Sequence, residues 1–257
     1  MPGDEGHPCA GPADLAHYAC MTPLVLVHGF ADSAAAWDPL RAEAGRDLPA
    51  RAWELPGHGE RAGAPAQACT MAAAVAGLEE VLAAQPAPPV LVGHSAGGYL
   101  ALRCAARGAV PLAGLAVIAS GPGFRRPEAM AAWNQTVDKL AARAGLPPHV
   151  AAVAYMSDSL VIDRLPSITV PALLVVGAED RQVYADGAEL MARRLPGARL
   201  VRVAGAGHDV HVSHAAELAG LLRELVGGLA LPRARRDLRD RSRHPPSWPV
   251  TLIAANN

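Results

Sequence analysis

Several things are scarce in these 257 residues, and each scarcity removes a class of function. No excess of one charge exists: 23 Lys and Arg stand against 24 Asp and Glu, a formal net charge of -1. Such a chain has no long-range field to draw in nucleic acid or an anionic lipid surface, so no nucleic-acid partner and no membrane partner are expected. Cysteine is limited to Cys9, Cys20, Cys69 and Cys104, without the spacing of a metal site. They read as reduced thiols of a cytoplasmic protein. No apolar stretch approaches the roughly 18 residues that span a bilayer. The first residues hold Asp4 and Glu5 and lack the basic-then-apolar order of a signal peptide. No internal repeat is visible. What is plentiful is hydrophobic residues, 51% of the chain and much of that alanine. The length suits one large α/β domain with a sizeable core.

Residues 1–14 are polar and rich in Gly and Pro, the composition of a flexible leader. A short strand is expected at 15–18. Leu24-Val25-Leu26-Val27 is a continuous apolar run, the pattern of a strand buried on both faces of a parallel sheet. Asp32 or Ser33 stands where it would cap the helix that carries Trp37 and Leu40. Further strands are expected at 50–55, 89–94, 112–119, 171–177 and 199–203. Helices are expected at 71–84, 96–107, 127–144, 149–156, 185–194 and 213–226. This alternation predicts an α/β fold, a mostly parallel sheet with helices on both faces. The domain spans 15–230. Within it, residues about 121–166 form a short helical lid insertion whose main helix puts Met130, Trp133, Val137, Leu140 and Ala144 on one face. Residues 232–257 hold six arginines against two aspartates and lack apolar periodicity. The stretch 231–257 therefore reads as a disordered, solvated basic tail.

The stretch from Pro89 to Leu100 carries the chemistry. An apolar run reaches Gly93, a single serine follows among small residues, and a helix-forming sequence begins. A strand, a tight turn and a helix would put Ser95 at the apex. Gly93 and Gly97 suit a strained turn whose backbone passes close to its neighbours. The plain alternative is a serine capping the helix of an ordinary βα turn. A nucleophilic serine needs a base, and the base needs an orienting group. Parallel sheets present such groups at the carboxyl ends of their strands. Glu179 and Asp180 directly follow the strand at 171–177, and His208 lies in the glycine-rich loop after the strand at 199–203.

Five motifs together resemble the α/β-hydrolase superfamily: His28-Gly29-Phe30, Leu55-Pro56-Gly57-His58-Gly59, Gly93-His94-Ser95-Ala96-Gly97-Gly98, Gly177-Ala178-Glu179-Asp180 and Gly205-Ala206-Gly207-His208. They cover about residues 15 to 228. The resemblance implies the α/β-hydrolase fold, with Ser95 as nucleophile, His208 as general base and Asp180 as orienting acid. Glu179 is then a neighbouring loop charge. The strand before the insertion ends in Ala119-Ser120-Gly121, which offers no rival carboxylate. His211 and His214 compete with His208 but are expected to face solvent. The 208, 211, 214 spacing without an acid cage is weak ground for a metal. The oxyanion donors implied are the backbone N–H groups of Ala96, at a helix N-terminus, and of Phe30. His28 is expected to brace the oxyanion loop, His94 to pack and His58 to belong to a turn.

A serine where dehalogenases and epoxide hydrolases of this fold carry aspartate argues against those reactions. The expected function is a serine hydrolase acting on an ester, thioester or similar small acyl substrate through an acyl-enzyme, with no cofactor and no metal. A carbon–carbon hydrolase or a cofactor-free perhydrolase would fit the same motifs, and a non-catalytic ligand-binding receptor is the reading from another class. Met130, Trp133, Tyr155 and Met156 on the lid, with Phe30 and Trp37 on the core, are the expected apolar pocket. Their bland alternative is sealing the lid onto the core. No arginine is clearly placed to bind an acidic substrate; Arg125 and Arg126 at the lid's entrance are the candidates, with a solvated pair as the favoured reading. Substrate identity and oligomeric state are not written in the motifs.

Overall fold

The computed structural model describes residues 22–229 and 251–253. Among these residues seven strands, β1 (Leu24–Val27), β2 (Ala50–Trp53), β3 (Val90–His94), β4 (Gly114–Ile118), β5 (Ala172–Gly177), β6 (Arg199–Val203) and β7 (Thr251–Ile253), alternate with helices. The helices are α1 (Asp38–Ala44), α2 (Met71–Ala83), α3 (Ala96–Arg107), α4 (Pro127–Arg143), α5 (Leu160–Arg164), α6 (Gln182–Arg194), α7 (Val210–Ser213) and α8 (Ala215–Leu229). All strand pairs are parallel, in the order β2-β1-β3-β4-β5-β6-β7. The order reverses direction between β1 and β3, which opens a crevice at the carboxyl ends of those two strands.

Strands β1, β3, β4 and β5 are buried along their whole length. Their continuous apolar runs require cover on both faces, and successive side chains divide between two cores. Val25, Val27, Leu91, Val117 and Val176 face the core shared with α2, α3 and α6. Leu24, Leu26, Val92, Ile118 and Val175 face the core shared with Trp37, α1 and α8.

Between β4 and β5 lies the helical segment that sequence placed at 121–166. Helix α4 buries Met130, Val137 and Ala141, while Leu140 is 38% exposed. Met130 and Val137 thus face inward as expected, while the last turn buries Ala141 in place of Leu140. Residues 148–154 form a 3-10 helix rather than an α-helix, entered through Pro147 and Pro148. The two pieces are stitched side chain to backbone: Asn134 Nδ2 donates to the Met156 carbonyl at 3.0 Å, and Asn134 Oδ1 accepts from the Met156 amide at 2.9 Å. Arg103 on α3 grips Asp158 with two hydrogen bonds, 2.8 and 2.6 Å, and so ties the segment to the sheet's helical cover.

Three expectations are corrected. The tail is not without structure throughout, because Thr251–Ile253 pair with Val201–Val203 as the edge strand β7. A β-branched Thr and Ile suit a strand, and the arginine-rich composition around them hides so short a run. Neither Asp32 nor Ser33 caps the first helical turn. Instead the Ala34 amide donates to Glu54 Oε1 at 3.0 Å, a cap delivered from the end of β2. His211 does not face solvent. The short helix α7 turns it inward, fully buried, with its ring 4.7 Å from Trp37 and 4.1 Å from His94. The leader, the strand expected at 15–18 and the rest of the tail lie outside the described residues.

Two predictions follow from this packing. A Cβ on Gly97 would sit 2.3 Å from the Val27 carbonyl oxygen, whereas one on Gly220, inside α8, would meet nothing within 4 Å. Gly97→Ala is therefore expected to destabilise by about 3 kcal/mol, and Gly220→Ala to stabilise by up to about 1 kcal/mol, as read from urea midpoints. Burial pushes the His211 imidazole down to about 4 from an ordinary 6.5. The folded state resists the proton that the unfolded chain accepts, so this contribution is whole above pH 6.5 and is lost as pH falls from 6.5 to 4. The loss amounts to about 3 kcal/mol. A His211→Phe variant, which keeps a ring between Trp37 and His94, should show that much less destabilisation between pH 7.5 and 4 than the wild type.

Candidate active site

The site begins with a backbone conflict. Ser95 joins β3 to α3 with φ 51° and ψ -117°, a conformation that L-residues avoid. It is held there by its surroundings. The Ser95 amide donates to the Ile118 carbonyl at 2.9 Å, and its carbonyl accepts from Ser120 Oγ at 2.7 Å. Gly97 allows α3 to start against the end of β1. Ala31 and Ala119, at the ends of the flanking strands, also have positive φ, 64° and 48°. Three non-glycine residues in this region thus lie at the ends of three adjacent strands.

Asp180 follows β5 and His208 follows β6. The loops that carry them touch, since a Cβ on Gly177 would lie 2.1 Å from the Gly207 carbonyl oxygen. His208 Nδ1 lies 3.1 and 3.0 Å from the two Asp180 carboxylate oxygens, and Nε2 lies 3.1 Å from Ser95 Oγ. The carboxylate can only accept, so the imidazole proton belongs on Nδ1 and the lone pair on Nε2 faces the serine hydroxyl. The Asp180 side chain is 1% exposed. Its Oδ1 also accepts from the Arg181 amide at 2.7 Å. Glu179 is exposed on the same loop.

The loop after β1 is fixed on both sides of Phe30. His28 Nδ1–H donates to the Gly29 carbonyl at 2.8 Å, while Nε2 accepts from the Leu55 amide at 3.0 Å. His58 Nδ1–H donates to the Pro56 carbonyl at 3.1 Å, and its Nε2 accepts from the Ala31 amide at 3.1 Å. Both rings need an acceptor lone pair, and burial keeps their proton affinity below the ordinary value. Between these anchors the Phe30 amide has no acceptor among the described residues. The Ala96 amide opens α3, where an intrahelical acceptor does not exist.

A cavity of about 390 Å³ opens beside Ser95 and Ala96. Of the four expected lid residues, Trp133 and Met156 line it. Met130 is instead buried in the core beneath α4, and the Tyr155 hydroxyl donates to Asp138 away from the cavity. Phe30 and Trp37 are also absent from the lining, Trp37 being buried in the opposite core. Arg125 and Arg126 border the cavity and are both exposed; Arg125 also pairs with Asp163 at 2.7 Å. Lining residues that the motifs missed include Tyr99, Phe124, Tyr184 and Leu190. Tyr184 and Leu190 lie six residues apart on α6, a helix whose inward face the periodicity alone does not tie to a ligand.

Among the described residues, His94, Asp209 and His211 bring one possible metal-ligand atom each within 4.8 Å of one another. The donor set fits a metal poorly. His94 Nε2 already faces the His208 carbonyl at 3.1 Å, and the His94 and His211 rings lie against each other at 36° rather than converging in plane. Burial, with the neighbouring imidazoles, holds His94 well below the usual histidine range. The cluster packs beneath His208. No helix among the described residues is long and apolar enough to cross a membrane.

Known proteins resemble this arrangement along most of the chain. The sequence model of the alpha/beta hydrolase family matches residues 24–221. A pimeloyl-[acyl-carrier protein] methyl ester esterase of Aromatoleum aromaticum is 30% identical over 80% of this chain and 98% of its own length. An enzyme of the same name from Neisseria meningitidis is 30% identical over 80% of this chain and 93% of its own. Among solved structures, a thermophilic esterase from Thermogutta terrifontis superposes with a TM-score of 0.68 at 25% identity, covering 82% of this chain and 91% of that one. MenH from S. aureus, at 21% identity and a TM-score of 0.71, covers 81% and 94% and shares the fold. With a matching family model across most of its length and relatives at 30% identity aligned nearly end to end, the chain belongs to the alpha/beta hydrolase family and is an esterase-like enzyme of that fold.

Proposed function

We propose that the chain hydrolyses acyl-chain esters through a covalent acyl-enzyme on Ser95. The observation that carries the reading is His208, with Nε2 3.1 Å from Ser95 Oγ and Nδ1 against the buried Asp180. In this reading Oγ attacks the ester carbonyl carbon while His208 takes its proton. The carbonyl oxygen, now negative, receives the Phe30 and Ala96 amides. His208 returns the proton to the departing alkoxide, and water repeats the sequence to free the acid. Asp180 fixes the imidazole's tautomer and faces the imidazolium.

The largely apolar cavity beside Ser95 takes the acyl chain, and the segment between β4 and β5 acts as its lid. The names of the relatives, which specify the methyl ester of a carrier-linked pimeloyl chain, support a chain-bearing acyl substrate over a compact one. The charge balance and the cavity beside Ser95 favour a small-molecule or carrier-presented substrate over a polymer.

Two measurements test this. Ser95→Ala should lower kcat by several orders of magnitude, up to about a million-fold if the three residues act as a unit; turnover near the wild-type level would remove Ser95 from the mechanism. A p-nitrophenyl ester series, run beside matched thioesters, should show kcat/KM rising roughly threefold per added methylene until the cavity fills. Leu190→Trp should flatten that rise at a shorter chain and leave the acetyl ester within about twofold. A series with no dependence on chain length would place the acyl group outside the cavity.

A further inference from the structure

His94 stands directly before Ser95 at the end of β3, and its buried ring lies beneath His208. The two ring centroids are 4.9 Å apart, and His211 packs on His94 at 4.1 Å. His94 Nε2 lies 3.1 Å from the main-chain carbonyl oxygen of His208. A carbonyl can only accept, so Nε2 carries the proton and donates it. Nδ1 then holds a bare lone pair. That atom is buried, has no hydrogen-bond partner among the described residues and faces Gly29, where a Cβ would come within 2.9 Å. A buried acceptor without a donor lowers stability. Phenylalanine would fill the same space without that cost, so packing alone does not account for a histidine here.

The loop that carries His208 has little else to fix it there. Gly205, with φ 72°, and Gly207 precede the histidine, and a Cβ on either would meet nothing within 4 Å. Among the described residues, the bond from His94 is the one hydrogen bond that the main chain of His208 makes. Asp180 and Ser95 hold the imidazole, not the backbone from which it hangs. Asp209, the next residue, brings its carboxylate only to 3.7 Å from His94 Nε2, too far to compete for the proton. The bond therefore joins two loops directly. Its donor adjoins Ser95 in the chain, and its acceptor belongs to His208 itself.

We propose that His94 is a positioning residue for the base: its Nε2–H tethers the main chain of His208 to the turn that carries the nucleophile, and so keeps His208 Nε2 on Ser95 Oγ. The proposal rests on Ser95 being the nucleophile and His208 the base. No proton leaves His94. Its ring stays neutral because burial, with the imidazoles of His211 and His208 beside it, opposes a charge. His208 takes a proton from Ser95 in the first attack and from water when the acyl-enzyme breaks down. A tether on His208 therefore serves both half-reactions alike. Its loss slows both in proportion, which lowers kcat and leaves KM in place. His94 does not line the cavity, so substrate binding is not affected directly.

The test sets the donor against the ring. Full-length wild type, His94→Gln, His94→Phe and His94→Met are compared on a p-nitrophenyl ester, with urea midpoints to show that each is folded. The nitrophenolate burst reads acylation, and the decay of the acyl-enzyme by intact mass reads deacylation. His94→Gln can place an N–H where Nε2 stands and should keep kcat within about threefold of wild type. His94→Phe keeps a ring and loses the donor. It should lower kcat about thirtyfold, slow both half-reactions alike and leave KM within about twofold. His94→Met also lacks the donor, and it carries this arm should His94→Phe not fold. A packing role gives the reverse order, with His94→Phe near wild type and His94→Gln impaired. That order overturns the proposal, as does an equal loss in His94→Gln and His94→Phe. Slowing confined to one half-reaction also overturns it. If wild type forms no adduct on Ser95, the underlying assignment fails and the His94 role falls with it; that outcome is distinguished by its appearance before any substitution.

Discussion

Helix α3 starts in contact with the carbonyl groups that end β1, and the geometry of Ser95 depends on that contact. A side chain on Gly97 would meet the Val27 and His28 carbonyl oxygens at 2.3 and 2.4 Å. Only with the helix this close can Ser95 stand at the apex between β3 and α3 in its left-handed conformation. The same proximity sets the loop after β1 beside the serine, where a Cβ on Gly29 would meet the His94 ring at 2.9 Å and Ser95 Cβ at 3.4 Å. Strain at Ser95 is offset by many ordinary contacts, among them its bonds to Ile118 and Ser120 on the next strand.

Histidine serves this region in two capacities. His208 faces the serine and the acid. His28 and His58 hold backbone: each gives one proton to a carbonyl and accepts one amide. That double duty exists only for the neutral ring, and burial, the largest influence on both, keeps them neutral. A protonated ring would lose its acceptor and release the amide it holds. The loop carrying Phe30 is thus fixed by desolvated imidazoles whose lone pairs stay available because water is excluded.

The sequence made the placement of Ser95, Asp180 and His208 legible because each motif couples a local backbone demand to a strand end. Apolar runs identify the buried strands, small residues mark where chains must approach, and the order serine, acid, histidine assigns them to β3, β5 and β6. What escaped depends on tertiary direction. His211 and His214 look alike in sequence, yet a four-residue helix turns His211 into the core and leaves His214 near the surface. Met130 and Trp133 are one helical turn apart, but only Trp133 reaches the cavity. Tyr184 has no motif at all; only the return of α6 over the loop that precedes it sets its ring 4.4 Å from that of His208 and into the cavity lining. The strand at Thr251–Ile253 was hidden by the composition of its surroundings.

The helical segment that roofs the cavity leaves the sheet from β4 and rejoins it at β5, and these two strands are neighbours. Its exit and entry points therefore sit side by side on a frame that stays continuous whatever lies between them. Ser95, Asp180 and His208 lie outside this excursion. On such a frame the intervening segment can change length or sequence without displacing the strand ends that hold Ser95, Asp180 and His208.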